Sequence, residues 1–304
     1  MTTPMPSAIA FLTLAFAAAA APVAQQPAPS GPAVVAVAEL RTEYAVNPIG
    51  IDARQPRFGW QVRAAARGVT QSAYQVQVAA SERALRDGKG LIWDSGVVNS
   101  GESVHVAYAG PALRSGQRCV WRVRIWDGGG AASAWSQPAF WEMGLLQPAD
   151  WQAAWIEPDL PEDVATSGPS PMLRREFALR GEVERARAYV TSHGLYEMAI
   201  NGQRVGDAVL TPGWTSYNKR LQYQTFDVTP LLTKGPNAVG VTLGNGWYRG
   251  NLAWDDKRNI YGDRLGLLMQ IVVTYRGGRQ EVIATDAGWK ASTGPILMSE
   301  IYHG

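Results

Sequence analysis

Residues 193–250 read HGLYEMAINGQRVGDAVLTPGWTSYNKRLQYQTFDVTPLLTKGPNAVGVTLGNGWYRG, and their periodicity decides the fold. Tyr196-Glu197-Met198-Ala199-Ile200 alternates apolar and polar side chains, the period of a strand with one buried face. Asn201-Gly202 follows, a dipeptide that tolerates the positive φ a tight hairpin turn demands. Next comes a loop dense in rings and polar groups: Trp214, Tyr217, Asn218, Lys219, Arg220 and Tyr223. A second apolar run, Ala238 to Leu243, ends in Gly244-Asn245-Gly246-Trp247-Tyr248-Arg249-Gly250. Strands therefore carry rings and polar groups out onto loops at one end, one way for a β-sandwich to build a sugar-binding face.

The chain of 304 residues has room for two domains, each with its own core. Apolar residues make up 46% and charged residues 18%, the balance of a folded globular protein. A formal charge of +2, with no long basic run, argues against a nucleic-acid partner. Twelve tryptophans offer large flat faces, suited to β-cores and to stacking on sugar rings. Residues 1–24 resemble a secretory signal: Ile9 to Ala21 is an apolar run too short for a permanent membrane span. Export to the periplasm or medium follows from that reading, with no membrane span after cleavage. Residues 25–39 read as a flexible lead-in. A single cysteine, Cys119, excludes an intrachain disulfide.

Outward from the central stretch, residues 40–144 show further alternating strands. Arg57-Phe58-Gly59-Trp60-Gln61-Val62 and Ala73 to Ala79 both have period two. So does Val120 to Asp127, with Trp121, Val123 and Ile125 on one face and Val120, Arg122 and Arg124 on the other. About seven short strands predict an immunoglobulin-like or fibronectin type III-like sandwich. Leu113 to Cys119 matches the L-x-x-G-x-x-Y corner of such modules, with Cys119 in the tyrosine slot. Residues 145–171 read as a linker in which Trp151 to Ile156 docks the second domain on the first. Residues 172–304 form a larger β-domain, and no helix of three turns is expected after the signal.

Several chemistries are absent from the pattern. Three histidines in unrelated places and no paired C-x-x-C exclude zinc. Calcium needs only oxygens, and Asn201, Asp207, Asn245 and Asp263 offer them, although such residues also simply form turns. Gly244-Asn245-Gly246 lacks the βαβ context of a phosphate loop, and no G-x-S-x-G elbow occurs. Asp255, Asp256 and Asp263 share a loop, but catalysis is not assigned to them. The sugar-contact candidates are Trp214, Tyr217, Arg220, Trp247, Tyr248, Arg249 and Trp254, where rings stack and arginines bond hydroxyls. The competing reading is that some of these rings only cap the sandwich.

The motifs Asn47-Pro48-Ile49-Gly50-Ile51-Asp52, Pro56-Arg57-Phe58-Gly59-Trp60, Trp93-Asp94-Ser95-Gly96, Trp121 to Asp127, Gly194-Leu195-Tyr196-Glu197, Asn201 to Asp207, Pro212-Gly213-Trp214-Thr215 and Gly246 to Gly250 occur in one order. With them the chain resembles the N-terminal region of bacterial α-L-rhamnosidases of glycoside hydrolase family 78, from about Leu40 to the end. The resemblance implies a fibronectin type III-like sandwich followed by a jelly-roll β-sandwich. It further implies a role in binding rhamnose-containing glycans, with calcium in some members. It places catalysis in an (α/α)₆ barrel that this chain lacks, so a C-terminal catalytic barrel is the expected partner. Cys119 departs from the expected aromatic, and Asn245 stands where some members carry Asp. A stand-alone lectin-like protein and a structural docking module are the alternative readings.

Overall fold

The computed structural model describes residues 35–252 and 257–303. The proposed signal and most of the lead-in lie outside the described residues, as do Trp254, Asp255 and Asp256. The architecture is all-β, as the alternation predicts. No described helix is long and apolar enough to cross a membrane.

The first half contains β1 (Val35–Thr42), β2 (Arg57–Ala64), β3 (Gln71–Ala79), helix α1 (Glu82–Asp87), β4 (Leu91–Asp94), β5 (Val106–Ala107), β6 (Arg118–Asp127) and β7 (Ala139–Glu142). They form two antiparallel sheets, β1-β2-β5 and β4-β3-β6-β7. The period of β6 shows why these faces meet: Trp121, Val123 and Ile125 are fully buried between the sheets. Phe58 of the opposite sheet packs on Trp121 at 4.4 Å between ring centroids. The alternate residues Arg122 and Arg124 face outward and fork onto Gln77 and Gln75, each at 2.8 Å, under the Trp135 ring.

One expectation changes in this half, and one short element is added. The lead-in does not extend to residue 39: β1 begins at Val35 and pairs with β2 from Val35↔Ala64 onward. The β-branched Val35 and Val37 favour a strand, and both join the first core. Residues 82–87, unassigned in the sequence, form a short helix because Ser81 Oγ caps Ala84 N–H and Gly88 adopts φ 64 to end it. Cys119 is fully buried, and burial pushes its thiol pKa up to about 12. It is a core side chain with no nucleophilic character at neutral pH.

The second half contains β8 (Pro171–Leu179), β9 (Val183–His193), β10 (Leu195–Ile200), β11 (Gln203–Arg204), β12 (Gln224–Asp227), β13 (Gly235–Gly244), helix α2 (Gly246–Arg249), β14 (Gly266–Tyr275), β15 (Gln280–Ala284) and β16 (Lys290–Thr293). Its sheets run β11-β10-β13-β8-β16 and β12-β9-β14-β15. Ala186, Ala188 and Val190 of β9 meet Val239, Val241 and Leu243 of β13 in one core. The Asn201-Gly202 hairpin forms as predicted, with φ 50 and 79 at its two residues.

The two sandwiches meet around Glu142, and Trp151 of the expected docking segment reaches the same seam, its ring edge-on to Tyr223 at 5.4 Å. The Glu142 carboxylate, 1% exposed, receives Arg187 Nε at 2.8 Å and Nη2 at 3.2 Å, with Arg185 at 3.4 Å. Tyr223 Oη accepts the Leu145 N–H at 2.8 Å across the same seam. Beyond Trp151 the linker lies along the second sandwich. Ala154 N–H bonds Thr285 O at 2.9 Å, and Ile156 bridges Leu267. The reason is backbone satisfaction: the linker places its N–H and C=O groups beside free partners on that sheet.

Candidate functional site

β9 and β13 deliver their last residues to one end of the second sandwich. β9 ends in His193, and Gly194 at φ 98 turns the chain into β10. β13 ends in Gly244 and is followed by the four-residue helical turn α2. Gly246 is required there. It sits at φ 50, and a Cβ on it would meet Leu195 Cγ at 2.5 Å. The turn sends Tyr248 inward and leaves Trp247 partly open.

Seven rings are contiguous at this end. Trp155 stacks on His193 at 4.1 Å, and His193 stacks on Tyr248 at 4.7 Å and 2°. Tyr217 meets Tyr248 edge-on at 5.3 Å and Tyr261 at 5.0 Å. Trp214 lies parallel to Trp247 at 5.6 Å and 8°, and its Nε1–H donates to Tyr261 Oη at 3.2 Å. Such offset and edge contacts hold each ring in place. The open members are Trp214, 52% exposed, and Trp155, 42% exposed. A Trp face held flat beside water is the surface on which the C–H face of a sugar packs.

The electrostatics are quiet. Burial lowers the His193 pKa, so the ring is neutral at pH 7. Burial pushes the Tyr217 hydroxyl up to about 12 and raises Tyr248 too. The nearby carboxylates are committed to cations: Glu157 to Arg264 at 2.6 Å and Glu162 to Arg249 at 2.8 Å. This arrangement can stack and hydrogen-bond a ligand.

The structure brings Trp214, Tyr217, Trp247 and Tyr248 together, and Arg220 stands exposed on the Trp214 loop. Arg249 is not a surface residue. It is 3% exposed and spends Nη1 on Glu162 and on Asp263 O, so it braces the loops from within. Tyr248 is also buried, the middle of the stack. Trp254 lies outside the described residues. His193, Trp155 and Tyr261 belong to the cluster but were not among the sugar-contact candidates read from the sequence. His193 could have been found from its place at the strand end before Gly194. Trp155 carries no local signal, because its partner is far along the chain.

The four calcium candidates do not converge. Asn201 and Asn245 lie at opposite ends of β13, since Ile200 pairs with Val239 and Leu195 with Gly244. That separation is on the order of 20 Å at a strand's rise per residue. Asn201 spends its amide on Leu231 O, Asn237 Oδ1 and Ala238 N–H. Asn245 donates to Ser167 Oγ at 3.1 Å and Glu300 Oε1 at 3.0 Å. No group of three or more His, Cys, Asp or Glu gathers as ion ligands among the described residues. These residues do not fit a shared calcium ion.

Glu300 explains the buried Asn245. Its carboxylate accepts the Asn251 N–H at 2.9 Å and pairs with Arg258. Burial alone would raise its pKa; the Asn251 N–H and the Arg258 guanidinium outweigh burial and hold it below the usual carboxylate value. The cluster pins the segment around residue 300 beneath α2.

Fold and face together define a tandem β-sandwich protein with a ring-lined end. Residues 181–304 match the α-L-rhamnosidase N-terminal domain family, and residues 37–147 match the Rha78A-like N-terminal immunoglobulin domain family. The chain carries the N-terminal β-domains of the α-L-rhamnosidase family. An α-L-rhamnosidase of Formosa agariphila is 39% identical over 267 residues, covering 85% of this chain and 28% of the relative. The crystal structure of Streptomyces avermitilis α-L-rhamnosidase complexed with L-rhamnose superposes with a TM-score of 0.83 at 28% identity. That match covers 89% of this chain and 42% of the other. The native Aspergillus terreus enzyme gives a TM-score of 0.80 at 40% identity over 88% of this chain and 30% of its own. The chain thus spans well under half the length of these relatives.

Proposed function

We propose that this chain is the non-catalytic N-terminal region of an exported α-L-rhamnosidase, and that its ring-lined end holds rhamnose-containing glycans. The observation that carries this reading is the contiguous ring array ending in the exposed faces of Trp214 and Trp155. Hydrolysis of α-L-rhamnosyl bonds belongs, on this reading, to the part of the longer relatives that this chain does not span. The apolar run of residues 9–21 supports export. Titration with L-rhamnose and a rhamnose-terminated oligosaccharide, followed by tryptophan emission, tests the binding. A saturable change in the parent chain that is lost in Trp214→Ala/Trp247→Ala is expected. No change at millimolar sugar would sink the glycan-binding role.

A docking role has its own supporting observation. Val209, Leu210, Ile296, Leu297, Met298 and Tyr302 are exposed large apolar side chains of the second sandwich, and Leu297 reaches 75% exposure. Leu210, Ile296 and Met298 line one groove of about 340 Å³ with Leu243. Of Trp151 and Trp155, the two linker rings expected to mark a docking patch, Trp151 packs edge-on against Tyr223 at 5.4 Å, whereas Trp155 is exposed. Self-association of the chain that Leu297→Glu abolishes would favour docking; a monomer with unaltered behaviour would not.

A further inference from the structure

The first sandwich carries a cleft of about 140 Å³ between the bulge in β1, the face of β2 and the residues that lead into β5. Its floor is the bare strand surface at Gly59, between the core residues Phe58 and Trp60, and its wall is Val104, 60% exposed. Across from Val104 stands Tyr44, 61% exposed and therefore contributing little to the core. Yet Tyr44 is held on two sides. Its hydroxyl bonds His105 Nε2 at 2.5 Å, with the two rings edge to face at 5.5 Å. The Arg57 guanidinium lies 5.3 Å from its ring centroid. Arg57 is itself fixed by a two-pronged pair with Glu43, at 2.7 Å and 3.1 Å, whose carboxylate also accepts the Arg57 N–H at 2.6 Å.

The backbone at this place is unusual. Of the eight described non-glycine residues with positive φ, four border the cleft: Glu39 at 52, Glu43 at 46, Tyr44 at 66 and His105 at 58. Side chains rarely adopt that region, and where strain gathers without serving the core it marks a site. The charges define the ligand class. Glu39 and Glu43 are balanced by Arg41 and Arg57, so the rim has no net pull on an ion. What remains is a fixed exposed ring and the Val104 side chain beside the bare strand surface at Gly59, rimmed by paired carboxylate and guanidinium groups that suit vicinal hydroxyls.

The geometry points to a second carbohydrate subsite here, taking one neutral sugar unit of a glycan with its apolar face on Tyr44 and Val104 and its hydroxyls on the Arg57–Glu43 pair. It shares no residue with the ring-lined end of the second sandwich. Preorganisation by His105 and Arg57 removes the cost of ordering the ring on binding.

Saturation-transfer NMR on the Trp155→Ala/Trp214→Ala/Trp247→Ala chain isolates this subsite from the other face. Methyl α-L-rhamnoside and methyl α-D-mannoside are the neutral probes, and D-glucuronate is the charged control. A neutral glycoside is expected to receive saturation, and Tyr44→Ala added to that background should reduce the signal to the level of D-glucuronate. Arg57→Lys keeps the charge but loses the two-pronged pair, and should weaken the signal several-fold with backbone amide dispersion unchanged. No transfer to either neutral probe, transfer confined to glucuronate, or transfer that survives Tyr44→Ala would each overturn the assignment.

Discussion

Replacing Glu142 by alanine removes the carboxylate at the centre of the seam between the sandwiches. Glu142 is 1% exposed, Arg187 is 8% exposed, and Arg118 stands opposite Glu142 in the β6–β7 register. Burial already lowers the Arg118 pKa, and Arg187 and Arg185 add to that effect. Without Glu142 the buried Arg187 guanidinium is left beside the half-buried guanidiniums of Arg118 and Arg185. Removing one partner of a buried pair costs about 3–5 kcal/mol. Arg187 retains Asp227 at 2.8 Å, but that carboxylate is 53% exposed and well screened, so the lower end, about 3 kcal/mol, is expected. Urea unfolding followed by tryptophan emission measures it. Glu142→Met combined with Arg187→Met should recover most of the loss, since an apolar pair avoids the stranded charge. A loss below about 0.5 kcal/mol for Glu142→Ala, the range of ordinary surface changes, would refute the assignment of Glu142 as the structural link.

Other consequences can be checked. Gly246→Ala should cost about 1–3 kcal/mol through its positive φ and the contact with Leu195, and should weaken the exciton signal of the Trp214–Trp247 pair in circular dichroism. Cys119 should react with a thiol reagent only as the chain unfolds, because burial holds its pKa at about 12. The Glu300 carboxyl has a folded pKa below its unfolded value. Its stabilising contribution is therefore full above the unfolded pKa and disappears as pH falls through the folded one. Protection of the amides of residues 299–303, taken relative to the intrinsic exchange rate at each pH, should fall on acidification through that window, and Glu300→Gln should show the low protection already at neutral pH.

Much of this protein is legible in its sequence because a strand's period of two needs only local information. The buried set Trp121, Val123 and Ile125, the hairpin at Asn201-Gly202 and the β9 face of Ala186, Ala188 and Val190 all follow from alternation. The ring cluster was half legible. Trp214, Tyr217, Trp247 and Tyr248 lie in two ring-rich segments, whereas Trp155 and His193 join them only through the fold. Arg249 misled because an arginine beside exposed rings looks accessible, and nothing local shows that Glu162 draws it inward. The same holds for Asn201 and Asn245, whose spacing along the chain hides that one strand separates them. Glu142 gave no sign at all, since its two arginines lie in the other sandwich.

The most direct measurement follows the indole N–H resonances of Trp214 and Trp247 while a rhamnose-terminated oligosaccharide is added. Saturable shifts of both signals, absent with a control sugar such as D-glucuronate, are predicted if the ring-lined end holds the glycan. Indole signals that stay fixed at millimolar oligosaccharide would contradict it, and the rings would then be a cap on the sandwich and nothing more.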